Sequence, residues 1–208
     1  DGVCGFRLVP ERRVDELKRR LAERSCRFDT WDVFFADRET ALAASETILA
    51  RSRLEGITTI EMPTDPEGER TRAIQALMAS AKVVPFSGSL LTGTLGPATT
   101  VAIGSGDGTV VAAAHGYMPH NAHSPYRFYA WGGLVSVAEA HRGKGLGSYI
   151  NASMIFAVFR DLDATHISEL VSEKNMASRR MVEACGLRRE PTLVCGIATP
   201  TDRDRYTR

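Results

Sequence analysis

Apolar residues return along the chain with two different periods, and the changes of period mark the elements. Val14, Leu17 and Leu21 recur at helical spacing, as do Leu42 and Leu49 in an alanine-rich window, so two helices are predicted there. Between and after them, "TWDVFFA" and "GITTIEMP" are short, rich in β-branched or aromatic residues and closed by charge or proline, as strands are. Ile74, Leu77, Met78 and Ala81 form a third helical stripe behind the acidic "TDPEGE". Residues 87–97, rich in Gly, Ser and Thr, are expected as a loop.

From Thr99 onward the pattern turns to strands. "TTVAIGSGDGTVVAAAHGYM" places two apolar runs around Gly-Ser-Gly-Asp-Gly and predicts an antiparallel hairpin. After the polar loop "PHNAHSPYR" comes the strand "FYAWGGLVSV", whose Gly132-Gly133 pair marks a bulge or a close approach to the backbone. Ile150, Met154 and Val158 then trace a helix, "HISELVS" a strand, and Ala177, Met181 and Ala184 a helix that Gly186 caps. "PTLVCGIAT" closes the pattern as a strand.

Composition narrows the function. The 208 residues, 43% hydrophobic, fill one large domain or a domain with a lead-in. With 26 Lys and Arg against 25 Asp and Glu, no global charge argues for nucleic acid or an anionic membrane, so an anionic partner must be met locally. No apolar run reaches the roughly 18 residues of a membrane span, and no signal pattern opens the chain. A cytoplasmic protein is expected. Cys4, Cys26, Cys185 and Cys195 show no CxxC spacing and read as reduced, structural thiols.

The local anion site is predicted in "HRGKGLGSYI". A strand, then Arg142-Gly143-Lys144-Gly145-Leu146-Gly147, then a helix brings free amides and a positive helix end to one spot. Gly143, Gly145 and Gly147 remove the Cβ atoms that would hold off a diphosphate, and Arg142 and Lys144 add charge. The plainer alternative is a tight turn at a helix start. Spacing excludes two familiar nucleotide motifs: Lys144 is followed by Gly145 where a Walker loop has Ser or Thr, and Gly-x-Gly-x-Gly is not the dinucleotide fingerprint.

Arg142, Gly145 and Gly147 resemble the acetyl-CoA signature of the GCN5-related N-acetyltransferases (GNAT), Arg/Gln-x-x-Gly-x-Gly/Ala. "LVSEKNMASRRMVEACGL", with Asn175 and Gly186-Leu187, matches the family's next strand and helix, and the similarity runs from about Thr99 to Thr199. The resemblance implies a mixed α/β fold with a mainly antiparallel central sheet flanked by helices. It would divide the chain into a lead-in over 1–85, packed on or opening the main domain, and an acetyl-CoA-binding domain over 86–208.

By the same resemblance, residues 142–148, that is Arg142, Gly143, Lys144, Gly145, Leu146, Gly147 and Ser148, would hold the CoA diphosphate. Leu134, Val135, Ser136 and Val137 would offer a strand edge to the pantetheine arm, which Asn175 would also touch. Pantetheine carries two amides, able to add to a strand edge as a peptide does. Acetyl-CoA is the expected co-substrate, with no metal; His120 and His123 in the polar loop lack a third ligand at diagnostic spacing. The acceptor would be a small-molecule or peptide amine.

The family's tyrosine seven residues after the Asn, a proton donor to the departing thiolate, is Val182 here. Ser172 is the candidate replacement acid. Two residues are candidate bases: Glu169, on the same strand face as Val171 where the family has an aliphatic residue, and His115, at the end of a hairpin strand. The bland alternatives are an edge glutamate in water and a packed histidine. The missing tyrosine keeps a non-catalytic CoA-binding sensor in view, and the sequence does not choose between acetyl and other acyl groups. A single strand after the last helix, where the family commonly has two, suggests a sheet edge completed by a second copy in a homodimer.

Overall fold

Residues 3–52 and 56–202 are described by a computed structural model. Eight strands, β1 (Cys4–Pro10), β2 (Cys26–Asp37), β3 (Ile57–Ile60), β4 (Ala98–Ser105), β5 (Val110–Tyr117), β6 (Tyr129–Val137), β7 (His166–Val171) and β8 (Arg188–Pro200), form one sheet. Its order is β1-β8-β2-β7-β6-β5-β4-β3. All pairs are antiparallel except β6 with β7. The helices are α1 (Val14–Ala22), α2 (Arg38–Arg51), α3 (Glu69–Ser80), α4 (Gly88–Leu91), α5 (Leu146–Asp161) and α6 (Met176–Ala184).

The mixed, mainly antiparallel sheet agrees with the sequence reading, and three details correct it. The supposed loop 87–97 contains the short helix α4, which Ser87 starts by accepting a hydrogen bond from the Leu90 amide. β1 was not foreseen, because "CGFRLVP" is short and its register shifts between Phe6 and Val9. The edge that a lone final strand would leave is filled from within the chain: β8 has β1 on one side and β2 on the other. The outer strands are β1 and β3 instead.

α5 is the central helix on one face of the sheet. Ile150, Met154, Ile155 and Val158 are fully buried, each such side chain being worth roughly 1.5–3 kcal/mol. They come close because the strands beneath are nearly bare: β5 presents Ala112 and Ala114, and a Cβ on Gly132 would stand 2.6 Å from Met154. α2 and α6 pack on the same core through Ala41, Val182, Cys185 and Leu187. On the opposite face Ile74, Leu77, Met78 and Leu91, from α3 and α4, cover Ala102 and Ala113.

Gly186 ends α6 with φ +87°, and its amide and that of Leu187 return to the carbonyls of Glu183 and Val182. A Cβ there would lie 2.9 Å from the Thr40 carbonyl of α2. Gly186→Ala is therefore expected to cost about 2 kcal/mol from the left-handed backbone and the α2 contact together. Urea denaturation measures it, and an unchanged midpoint would show that the α6 end is not held in this form.

Candidate functional site

Three backbone features converge beside the start of α5. First, β6 and β7 pair only from Tyr129↔His166 to Gly132↔Glu169, so the strands part beyond that point. Second, β6 bulges there: three steps along it, Gly133 to Ser136, face two along β5, His115 to Ala113. Leu134 takes up the extra residue with φ +54°, a costly conformation for a leucine. Third, the chain leaves β6 through a short 3-10 turn at Glu139–His141 and enters α5 through Gly143 and Gly145, with φ +74° and +80°.

The first bond of α5 runs from the Tyr149 amide to the Gly145 carbonyl at 3.1 Å. Among the described residues, no hydrogen bond uses the amides of 143–148. A Cβ on Gly143 or Gly145 would have nothing within 4 Å, so these glycines answer to backbone conformation and the space in front of them is open. No acid stands in the first turn of α5. Arg142 and Lys144 are exposed; each donates one N–H to a nearby carbonyl, Val137 and Ala140, and keeps its other donors. By geometry and by charge the loop is suited to an anion.

Asn175 caps α6, its Oδ1 accepting from the Ser178 amide at 3.0 Å, which leaves Nδ2 for another partner. Arg179, half-buried on α6, is committed elsewhere: it meets Asp32 of β2 at 2.6 Å, and Arg189 closes on the same carboxylate at 2.9 Å. Ser172 lies just past β7 and is exposed, and Val182 is buried.

The two candidate bases fall on opposite faces of the sheet. Glu169 points toward α5, where Asn151 donates to it at 2.9 Å in a pocket shared with Cys185. Burial there pushes its carboxyl up to about 7, against the Asn151 hydrogen bond, and pushes the Cys185 thiol up to about 12. His115 points the other way, under the rings of Phe86 and Tyr117. The Thr100 hydroxyl donates to the Leu91 carbonyl at 2.6 Å and so accepts from His115 Nδ1 at 2.8 Å. That fixes the Nδ1–H tautomer, and Nε2 is a buried lone pair with no described protein partner. Desolvation pulls this imidazole down to about 4, so it is neutral at physiological pH.

Sequence reasoning missed Asn151, Thr100 and Arg7. Asn151 carries a faint signal, a lone amide in the apolar run from Ile150 to Phe159. Arg7 donates to the Tyr117 hydroxyl from β1, and no local pattern announces that contact. Among the described residues no cluster of His, Cys, Asp and Glu can hold a metal, and no helix is long and apolar enough to cross a membrane. Two surface hollows among the described residues, one between β1 and α1 and one between β3 and α3, lie away from the glycine loop.

Comparison with known proteins agrees with this geometry. The sequence profile of the acetyltransferase (GNAT) family matches residues 54–187, reaching further toward the N-terminus than the resemblance read from Thr99. A GCN5-related N-acetyltransferase from Kribbella flavida superposes with a TM-score of 0.61 at 16% identity, over 90% of this chain and 64% of that one. A Drosophila protein gives 0.68 at 14%, over 97% and 62%, and a GCN5-related N-acetyltransferase from Sphaerobacter thermophilus 0.54 at 15%, over 94% and 58%. The chain thus spans less than two thirds of the length of these structures. No curated protein sequence matches it.

The buried carboxyl makes a stability prediction. The folded value of Glu169, about 7, lies above its ordinary 4.5, so the native state holds the extra proton between those values. Stability from this group is complete below pH 4.5 and declines as pH rises through 7, by on the order of 3 kcal/mol. His115 acts oppositely between about 4 and 6.5, losing stability as pH falls. Comparing Glu169→Gln with wild type cancels the histidine: the variant should gain about 3 kcal/mol on wild type between pH 5 and pH 8 in urea titrations. A pH-independent difference would mean that the carboxyl is not held protonated.

Proposed function

Because the chain belongs to the acetyltransferase (GNAT) family, we propose that it transfers an acetyl group from acetyl-CoA to a primary amine, by direct attack with both substrates bound. The observation that carries this reading is the run of unused amides at 143–148 beside the parted strands. Those residues fit the cofactor: the amides suit a diphosphate, and the unpaired edge of β6 from Leu134 to Val137 suits the two amides of pantetheine. Asn175 contributes Nδ2, since its oxygen is already used in the cap. When bound, acetyl-CoA supplies an activated thioester carbonyl.

The chain's own residues orient that carbonyl and the amine. The left-handed turn at Leu134 frees backbone amides on the bulge to stabilise negative charge on a carbonyl oxygen. Of the two candidate bases, both buried, His115 is on the face away from α5, among the Phe86 and Tyr117 rings beside the bulged strand, and Glu169 is on the other side against Asn151. His115 is too weak to hold an ammonium's proton. With its value at about 4 and an amine near 10, the transfer would cost about 8 kcal/mol. It serves as a neutral acceptor that turns the amine's N–H, directly or through one water, and the amine enters as the free base. Val182 stands where the family's tyrosine would be, and Ser172, exposed just past β7, would be the side chain left to give the departing thiolate a proton, with water as the alternative. An acyl-CoA binder without turnover is the competing reading; thiol release with a panel of amines dismisses it, and tight binding without release across the panel would establish it.

Two measurements test the site. Gly147 has an ordinary backbone, and a Cβ there meets only the Met181 sulfur at 3.7 Å, so Gly147→Glu should leave the fold intact while placing a carboxylate against the diphosphate. Calorimetry should show affinity for CoA reduced about tenfold or more, with an unchanged urea midpoint; equal affinity would remove the cradle. In turnover, kcat/KM should climb about tenfold per pH unit from 6 toward the acceptor's own pKa. A plateau set in near pH 7 would instead identify an enzyme base such as Glu169.

A further inference from the structure

Arg7 sits on β1 and Tyr117 on β5, with β8, β2, β7 and β6 between them in the sheet. In a flat sheet those strands would stand about 24 Å apart, beyond the reach of an arginine. Yet the Arg7 guanidinium donates to the Tyr117 hydroxyl and lies 5.6 Å from the centre of its ring. The two halves of the sheet therefore curl toward one another on the face away from α5. Arg7 is aimed across that face from an irregular stretch of β1, where Leu8 adopts φ +51° and its amide bonds to Cys195 Sγ at 3.2 Å.

The cation reaches the reacting centre through a continuous set of rings. Tyr117 and Trp131 are 5.5 Å apart between centres, and Trp131 lies over Gly133, the first residue of the bulge, where a Cβ would come within 2.6 Å of the indole. Phe86 closes the group at 5.7 Å from Trp131. Two polar atoms in this aromatic floor are buried without a described protein partner, the Trp131 Nε1 donor and the His115 Nε2 acceptor. Among the described residues no carboxylate pairs with Arg7. Its charge acts instead on Tyr117, His120 and Cys195.

We infer that this curled, ring-lined face takes an acceptor amine with an apolar body and a carboxylate at its far end. Arg7 anchors the carboxylate, the Tyr117, Trp131 and Phe86 rings carry the body, and the amine lies at the bulge beside His115. The inference rests on the acyltransfer reading for the role of the bulge and adds the acceptor's chemical class. An arginine held by a neutral phenol and facing no acid lacks its usual counter-charge, and a carboxylate supplies it with charge-assisted hydrogen bonds. The same cation disfavours a simple alkylammonium or a polyamine.

The test compares 6-aminohexanoate with hexylamine, which differ only at the far end. In a Trp31→Phe background, Trp131 is the remaining tryptophan, and its fluorescence reports occupancy of that face with or without CoA. The carboxylate-bearing amine should bind at least about tenfold more tightly than hexylamine. Arg7→Met should abolish that preference and improve hexylamine binding, Arg7→Lys should keep part of it, and CoA affinity by calorimetry should be unchanged in both. Equal binding of the two amines, or a preference that survives Arg7→Met, overturns the inference. So does a carboxylate preference seen only for succinyl-CoA over acetyl-CoA, because Arg7 would then read the acyl group. Failure of CoA to bind would overturn the acyltransfer reading alone, since the fluorescence comparison needs no cofactor.

Discussion

The parting of β6 from β7 after Gly132 and Glu169 is the constraint on which the rest of the site depends. Parallel neighbours that stayed paired would consume every amide and carbonyl between them and leave nothing for a ligand. The bulge at Leu134 lets β6 turn away without breaking its ladder to β5, and the strain of one left-handed leucine is held by the pairs that resume at Ser136 and Val137. The same departure aims the chain at the beginning of α5. Open strand edge, bulge amides and helix start are thus consequences of one local rearrangement.

Where the strands part also sets the electrostatics on each face. Behind the sheet, α5 lies so close to Gly132 and the alanines of β5 that a carboxylate at Glu169 loses water altogether; Asn151 offsets only part of that loss. In front, His115 is desolvated beneath the Phe86 and Tyr117 rings, and its one protein hydrogen bond goes through Nδ1. Burial penalises the charged form in both cases, so it raises the acid and lowers the base. At neutral pH His115 is therefore uncharged, and Arg7 is a cation delivered to the Tyr117 hydroxyl from a distant strand.

This division explains what the sequence made legible. Glycines at 143, 145 and 186 announce themselves because each meets a backbone need that few other residues fulfil, and all three do adopt positive φ. The stripe of Ile150, Met154 and Val158 was readable for a similar reason, since burial of one helix face is a local pattern with a global cause. Asn175 was placed beside the cleft by its motif, but its cap to Ser178 depends on where α6 begins. Thr100, Asn151 and Arg7 act through partners 15, 18 and 110 positions away, and no periodicity encodes such meetings. The β1 segment was overlooked because its irregularity, which aims Arg7, also blurs the alternation that identifies a strand.

The N-terminal strands bear on function as well as on closure of the sheet. β2 enters between β7 and β8 and brings Asp32 to Arg179, so that arginine of α6 is neutralised by the protein and is not left for CoA phosphates. β1 then extends the sheet by one more strand, and curvature carries it over the acceptor face. On the proposed reading the arrangement divides recognition between two parts of the chain: backbone amides at the start of α5 would serve the shared diphosphate, whose shape does not vary among acyl donors. Side chains from β1, β5 and β6 would face the acceptor, the half of the reaction that differs between enzymes. A segment outside the matched residues 54–187 can change without disturbing the cradle. On the proposed reading, acceptor specificity would therefore reside in the lead-in as much as in the core.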